Sequence, residues 1–219
     1  MKVVAKGAEA LLYLEDWLGL TVLVKERTPK SYRDPVFDRM IRIRRTINEA
    51  RLMMDAADLG VKTPVVYDVD VVRTKIRMQY LNSPTLNSII KNSGYSNLTK
   101  ALMSKMGTLI GILHNEGILH GDPTPANVIV NNSDEYLIDF GLGEKLKPTW
   151  DSKYLRKAAV DLNVLLRSLE SNYGEYSEQF FNDFIDGYSN AVGRDKAASV
   201  VKWVRRIRSL ARYYTGRLL

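Results

Sequence analysis

The sequence predicts an α+β fold in two lobes: a small antiparallel sheet carrying one main helix, then a mostly helical part. Two observations predict it. The first eighty residues hold short apolar runs around a single long helical repeat, and most of the remaining chain repeats at three- and four-residue steps. Val3-Val4-Ala5, Leu11 to Leu14 and Leu20 to Val24 are apolar runs parted by turn-compatible residues, the pattern of an antiparallel meander. Arg39 to Asp58 reads as the main helix, because Met40, Ile43, Ile47, Ala50 and Met54 fall on one face. Gly60 to Pro64 ends that helix, and Val65–Asp70 and Val71–Tyr80 read as two further strands. The small lobe is therefore expected over 1–81, with a hinge at 78–81, and the helical lobe over 82–219. Within the second lobe, Leu98 to Asn115 and Leu155 to Leu169 read as helices, and Val128-Ile129-Val130 and Tyr136-Leu137-Ile138 as a strand pair.

At 219 residues and 45% hydrophobic content the chain can bury a sizeable core, which argues against intrinsic disorder. No run approaches the roughly 20 apolar residues of a membrane span, and Lys6, Glu9, Glu15 and Asp16 interrupt the first residues before a signal core can form. A cytoplasmic protein without membrane contact is expected. With no cysteine, disulfides, thiolate chemistry and cysteine zinc sites are excluded, leaving oxygen-ligated metal. The net charge of +7 is uneven: residues 25–51 carry +5, residues 193–219 carry +7, and the remainder carries −5. Two basic surfaces facing a polyanion would produce this, and so would solvated helix faces.

The chemistry concentrates in His120-Gly121-Asp122-Pro123-Thr124-Pro125-Ala126-Asn127 and in Asp139-Phe140-Gly141. Phosphoryl transfer needs Mg²⁺ held, an attacking oxygen aligned and developing charge shielded, and these residues suit each task. Asp122 would take the proton of the attacking hydroxyl or water, while Asn127 and Asp139 would hold the metal against the phosphates of ATP. The two short strands would bring Asn127 and Asp139 to adjacent loop ends. Asp-Phe-Gly alone is a common turn; the combination is far rarer. His120 reads as a packed brace for the loop rather than a base.

Lys25 closes the third strand as Val-Leu-Val-Lys and is the candidate phosphate lysine, with Glu49 on the main helix as its partner. Between the first two strands, Gly7, Ala8 and Glu9 form a loop where a phosphate tail would lie under backbone amides; with one glycine this is a weak signal. Met78, Gln79 and Leu81 would form the adenine side of the hinge, a reading that rests on element order alone. In a kinase fold an Asp at the place of Asp161 hydrogen-bonds the backbone of the 120–127 loop, a structural rather than a chemical role. The tail, 200–219, interleaves Lys202, Arg205, Arg206, Arg208, Arg212 and Arg217 with Trp203, Tyr213 and Tyr214, which suits RNA contact and helix packing equally.

Together these features describe a protein-kinase-like fold. Pro29-Lys30-Ser31-Tyr32-Arg33-Asp34-Pro35, Arg45-Thr46-Ile47-Asn48-Glu49-Ala50-Arg51, Gly7-Ala8-Glu9-Ala10 and the His-Gly-Asp loop resemble the small atypical kinases of the KEOPS (EKC) complex, the PRPK family. The resemblance spans nearly the whole chain and implies an archaeal or eukaryotic ATPase and atypical serine/threonine kinase. That family supports threonylcarbamoyladenosine modification of tRNA. The resemblance also implies an ASKHA-fold threonylcarbamoyl transferase subunit bound through the helical lobe and a small regulatory subunit bound through the sheet lobe; the lack of further domains suits an archaeal protein. Gly121 stands where an Arg would grip a phosphorylated activation loop, and no Ala-Pro-Glu element comes after it, so water is a plausible acceptor. A RIO-like or small-molecule phosphotransferase and a nucleotide-binding scaffold remain as alternatives.

Overall fold

In the computed structural model, which describes residues 2–215 with side chains to Leu210, the chain opens with strands β1 (Lys2–Lys6), β2 (Ala10–Trp17) and β3 (Leu20–Arg27). Helix α1 (Pro35–Asp58) comes next, then β4 (Val66–Asp70) and β5 (Lys75–Gln79). The five strands form one antiparallel sheet in the order β1-β2-β3-β5-β4. Alternation along β3 divides its side chains: Val22 and Val24 pack with Tyr13 in a small cluster on one face, while Leu23, Lys25 and Arg27 point to the other. That second face looks onto α1.

Helix α1 starts four residues before the apolar repeat suggests. Asp34 is its N-cap, accepting hydrogen bonds from the Val36 and Phe37 amides at 3.1 and 3.0 Å, and Pro35 sits beside it in the first turn. The expected strand over Val71–Tyr80 is shorter than its apolar run. The Asp70 carboxylate accepts from the Arg73 amide at 2.8 Å and Thr74 takes φ 55°, so residues 71–74 turn and β5 begins at Lys75.

The second lobe contains α2 (Leu86–Ser93), α3 (Asn97–Asn115), β6 (Ile118–Leu119), β7 (Val128–Asn131), β8 (Asp134–Leu137), β9 (Glu144–Lys145), α4 (Ser152–Tyr173), α5 (Ser177–Val192) and α6 (Arg194–Thr215). Helices α2 and α5 have no counterpart among the elements expected from the sequence. The α3–α5 contact is a backbone contact: a Cβ on Gly107 would lie 2.0 Å from the Phe184 carbonyl oxygen, and one on Gly187 1.7 Å from that of Ser104. Around it, Met103, Met106, Ile110, Phe180, Phe184 and Tyr188 form a dry core. The basic tail is helical as far as it is described, and α6 buries Ala197, Val200 and Val204. Arg212, Tyr213, Tyr214 and Arg217 lie outside the described side chains. Among the described residues no helix is long and apolar enough to cross a membrane.

The β7–β8 hairpin sets Val128 opposite Leu137 and Val130 opposite Glu135. Glu135 is buried, and neither carboxylate oxygen has a hydrogen-bond partner. Burial pushes its carboxyl up to about 8, against a smaller opposing pull from the ammonium of Lys105.

Candidate active site

The site forms where β3, α1, the β1–β2 loop and the 120–141 segment converge. Lys25 and Arg27 stand two residues apart on β3 and so share a face. Glu49, on the buried side of α1, receives both: Lys25 Nζ lies 2.5 Å from Glu49 Oε1, and Arg27 Nη2 bonds Oε2. Lys25 also reaches Asp139 Oδ1 at 2.7 Å. Burial works against the Lys25 ammonium, but the charges of Glu49 and Asp139 outweigh it and hold its pKa above the ordinary lysine value. Burial likewise opposes ionisation of Asp139; the Lys25 charge and hydrogen bond, helped by the Gly141 amide, bring it below the usual carboxylate range.

Asp139 adopts φ 63°, an uncommon left-handed conformation for a residue with a side chain. Gly141 lies close beside it: a Cβ there would come within 2.9 Å of Arg27 Nη2 and 3.0 Å of Asp139 Oδ1, so a larger residue would have to displace those side-chain ends. Phe140 is fully buried and packs on the His120 ring, with centroids 4.5 Å apart.

The 120–127 loop is braced from beneath. Asp161 on α4 accepts from the His120 amide at 2.7 Å and the Gly121 amide at 3.0 Å, and lies 3.3 Å from His114 Nε2. His114 continues the brace to the Tyr188 hydroxyl at 2.9 Å. The His120 ring is buried, which pushes its pKa down, and it packs as expected rather than facing solvent. Gly121 has φ 85°, and a Cβ on it would lie 2.4 Å from the Leu142 carbonyl oxygen, so the position requires glycine. Asn127 closes a short 3₁₀ turn and donates through Nδ2 to the Asp122 carbonyl at 2.9 Å and to its carboxylate at 2.8 Å. That amide fixes the carboxylate's orientation.

A cleft of about 410 Å³ opens above these groups, lined by Gly7, Ala8 and Glu9 of the β1–β2 loop and by Lys25, Asp122 and Asp139, among others. The structure thus brings together Gly7, Ala8, Glu9, Lys25, Asp122 and Asp139, with Glu49 behind Lys25 and Asn127 behind Asp122. Met78, Gln79 and Leu81 stand apart from this lining. Met78 is buried in the core beneath the sheet, Gln79 donates its amide to the Val65 carbonyl at 2.8 Å, and Leu81 is buried just beyond β5.

Arg27 carries no signal in the sequence alone, and Arg45 enters there only as part of the motif around Glu49. Both are bound to the Glu9 carboxylate, Arg45 directly and Arg27 through Nη1 at 3.7 Å. Burial raises the Glu9 carboxyl, and Arg45, with smaller help from Arg27 and Arg33, more than reverses it. Within 25–51, Lys25, Arg27, Arg33, Arg42, Arg45 and Arg51 meet carboxylates, and those of Glu9, Asp55 and Asp139 lie outside the segment and offset three of its five excess charges. Arg39, Arg44 and Arg51 stay exposed. On α6, Arg208 pairs with Glu170 at 2.6 Å and Arg206 covers the Trp203 ring at 5.0 Å.

This arrangement, a strand lysine on a helix glutamate facing a braced His-Gly-Asp loop, defines an atypical kinase-like protein. The family model described as the ABC1 atypical kinase-like domain matches residues 44–164. The chain is 35% identical to the KEOPS complex subunit Bud32 of Pyrococcus abyssi over 97% of its length and 96% of that protein. It is 36% identical to a probable bifunctional tRNA threonylcarbamoyladenosine biosynthesis protein of Methanothermobacter thermautotrophicus, spanning 96% of this chain but 36% of that one. The chain belongs to the family of the KEOPS complex subunit Bud32, which bears out the resemblance read from its motifs. Among solved structures, the Rio2 kinase ADP/Mg²⁺-phosphoaspartate complex from Chaetomium thermophilum superposes with a TM-score of 0.61 at 15% identity, covering 95% of this chain and 72% of that one. WaaP in complex with acyl carrier protein gives 0.55 at 18% identity, covering 94% and 86%. These likenesses support the two-lobed kinase-like fold.

Proposed function

We propose that the chain binds Mg-ATP in the cleft and transfers its terminal phosphoryl group, to water or to a serine or threonine hydroxyl, as the ATPase and atypical kinase subunit of a KEOPS complex in tRNA threonylcarbamoyladenosine biosynthesis. The observation that carries the reading is Lys25 bound at once to Glu49 and Asp139, which aims an ammonium into the cleft from behind and leaves a carboxylate at its mouth.

The donor set fits Mg²⁺. Among the described residues no group of three or more His, Cys, Asp and Glu forms a protein cage, and Mg²⁺ takes one or two protein oxygens with the rest from phosphate and water. Asp139 and Asn127 would hold it, Asn127 through Oδ1 because Nδ2 is committed to Asp122. When bound, the ion neutralises phosphate charge and orients the transferred group. Asp122, held by Asn127, orients the attacking hydroxyl or water and accepts its proton. Lys25 binds phosphate oxygens, and Glu49 sets the direction of that lysine. Gly7, Ala8 and Glu9 cover the phosphates, while Met78, Gln79 and Leu81 lie towards the adenine.

The partners are those of the family: the transferase subunit on the helical lobe, the small regulatory subunit on the sheet lobe and tRNA within the assembly, in the cytoplasm. The test is Mg-ATP hydrolysis by the purified chain, alone and with the transferase subunit and tRNA, with Asp122→Ala as control. Turnover that rises with the partners and falls by about a hundredfold or more in the variant is expected. No turnover under any condition, or turnover indifferent to Asp122→Ala, would refute the assignment.

A further inference from the structure

Glu49 is balanced by two cations rather than one. Lys25 and Arg27 take separate oxygens of its carboxylate, and Arg27 is as buried as the pair it completes, its side chain 5% exposed. From the same guanidinium, Nη1 reaches Glu9 at 3.7 Å in the β1–β2 loop, and Arg45 of α1 binds that carboxylate from the other side. Lys30 adds a second tether by donating to the Ala8 carbonyl. The loop above the cleft has one glycine, so it is placed by ion pairs to β3 and α1 instead of by a run of flexible backbone. Arg27 also packs against Gly141, where an added Cβ would lie 2.9 Å from Nη2. It touches all three walls: the loop, α1 and the Asp139 segment.

The charges tied into this ion-pair network balance. Lys25, Arg27 and Arg45 stand against Glu9, Glu49 and Asp139, three positive and three negative, with Asp122 a further carboxylate on the cleft wall. Without Arg27 the network would carry one excess negative charge, Lys25 would alone compensate the buried Glu49, and Glu9 would lose one of its two cations. Both effects oppose a polyanionic ligand, and both grow with the number of phosphates.

We propose that Arg27 is a positioning residue that locks the β1–β2 loop and the Lys25–Glu49 pair into one unit and sets the cleft's affinity for polyphosphate. Its planar fork is needed for this, because two carboxylates on different elements must be met in fixed directions; a lysine would restore the charge but not the bridge.

The inference rests on the reading of the cleft as a Mg-ATP site, and the experiment separates the two. Binding of Mg-ATP, Mg-ADP and adenosine is measured by calorimetry on the full chain, with steady-state ATP turnover, for wild type, Arg27→Met, Arg27→Lys and Glu9→Gln. Arg27→Met is expected to weaken Mg-ATP about tenfold, Mg-ADP less and adenosine not at all. Arg27→Lys is expected to recover most of that affinity while turnover stays about tenfold down, a split that simple loss of folded protein does not produce. Glu9→Gln leaves the buried Lys25–Glu49 pair untouched and is expected to lower turnover with the fold retained, so the proposal stays testable if Arg27→Met does not fold. Wild type that fails to bind Mg-ATP overturns the ATP reading itself. Wild type that binds and turns over Mg-ATP, with Arg27→Lys and Glu9→Gln equal to it in both measures, overturns the role of Arg27 alone.

Discussion

Replacing Glu135 by leucine should stabilise the protein, and by more at pH 7 than at pH 5. Glu135 is 2% exposed with both carboxylate oxygens unpartnered, and its carboxyl is raised from 4.5 to about 8. The folded chain therefore keeps a proton there that the unfolded chain releases above about pH 4.5. Protonation favours the fold, so this contribution is fully favourable below the unfolded value and is lost as pH rises towards 8. Each pH unit within that window costs about 1.4 kcal/mol, and between pH 5 and pH 7 the loss from this one group is about 2.5 kcal/mol. His120, buried with its pKa pushed down, works in the opposite sense, weakening the fold as pH falls, but it is common to both proteins and cancels. Urea unfolding of wild type and Glu135→Leu at the two pH values should give a stability difference that widens by about 2.5 kcal/mol from pH 5 to pH 7. An equal difference at both pH values would refute the claim that Glu135 is buried as a neutral acid.

Asp161→Ala should cost about 3 kcal/mol or more, because the His120 and Gly121 amides and His114 would lose a buried acceptor together; chemical denaturation reads this directly. Gly187→Ala should destabilise by about 2 kcal/mol or more, since its Cβ would meet the Ser104 carbonyl and α5 must back away; the midpoint of thermal unfolding checks it. Asp139→Ala should abolish Mg-ATP turnover under the proposed function, with folding retained by far-UV circular dichroism. Neutralising Arg205, Arg206 and Arg208 together should flatten the salt dependence of tRNA binding without changing ATP affinity. Because Arg208 is tied to Glu170, Arg205→Gln alone should account for more of the slope than Arg208→Gln, as measured by filter binding across a salt series.

The parts of the fold legible in the sequence are those where one physical signal suffices. Lys25 and Glu49 are readable from a strand end and a helix that faces it, once the His-Gly-Asp and Asp-Phe-Gly segments give the pair a task; the face itself is not, because Met40, Ile47 and Met54 are exposed and the helix buries Thr46, Glu49, Leu52, Met53 and Ala56 instead. Asp161 is readable from its position in the helix after the Asp-Phe-Gly turn. Arg27 is not, since its role depends on the second oxygen of Glu49 being buried, which only the packed structure reveals. The 71–74 turn reads as strand because Val71 and Val72 are apolar; Val72 is 74% exposed, and the turn is set by Asp70 and Thr74 instead. Helix α5 does carry a signal, in Phe180, Phe181, Phe184 and Tyr188 at steps of one, three and four residues, but a single short aromatic cluster is weaker than the repeats of α1 and α3. The charge sum over 25–51 is incomplete for a different reason: it counts Asp38 and Glu49 but cannot show that Glu9, Asp55 and Asp139, from outside the segment, offset three of its five excess charges.

The glycine contact between α3 and α5 has a consequence for how the protein is made. Gly107 lies against Phe184 and Gly187 against Ser104, contacts that each join residues roughly eighty apart in sequence, and the Asp161–His114–Tyr188 brace spans a similar distance. At about 5–20 residues per second, the ribosome takes several seconds to deliver α5 after α3. During that interval the 120–127 loop has been synthesised but lacks the partners that hold its backbone, while all five strands of the sheet and α1 lie within the first eighty residues. The sheet lobe is thus the part free to fold first on the nascent chain, and the helical lobe closes last.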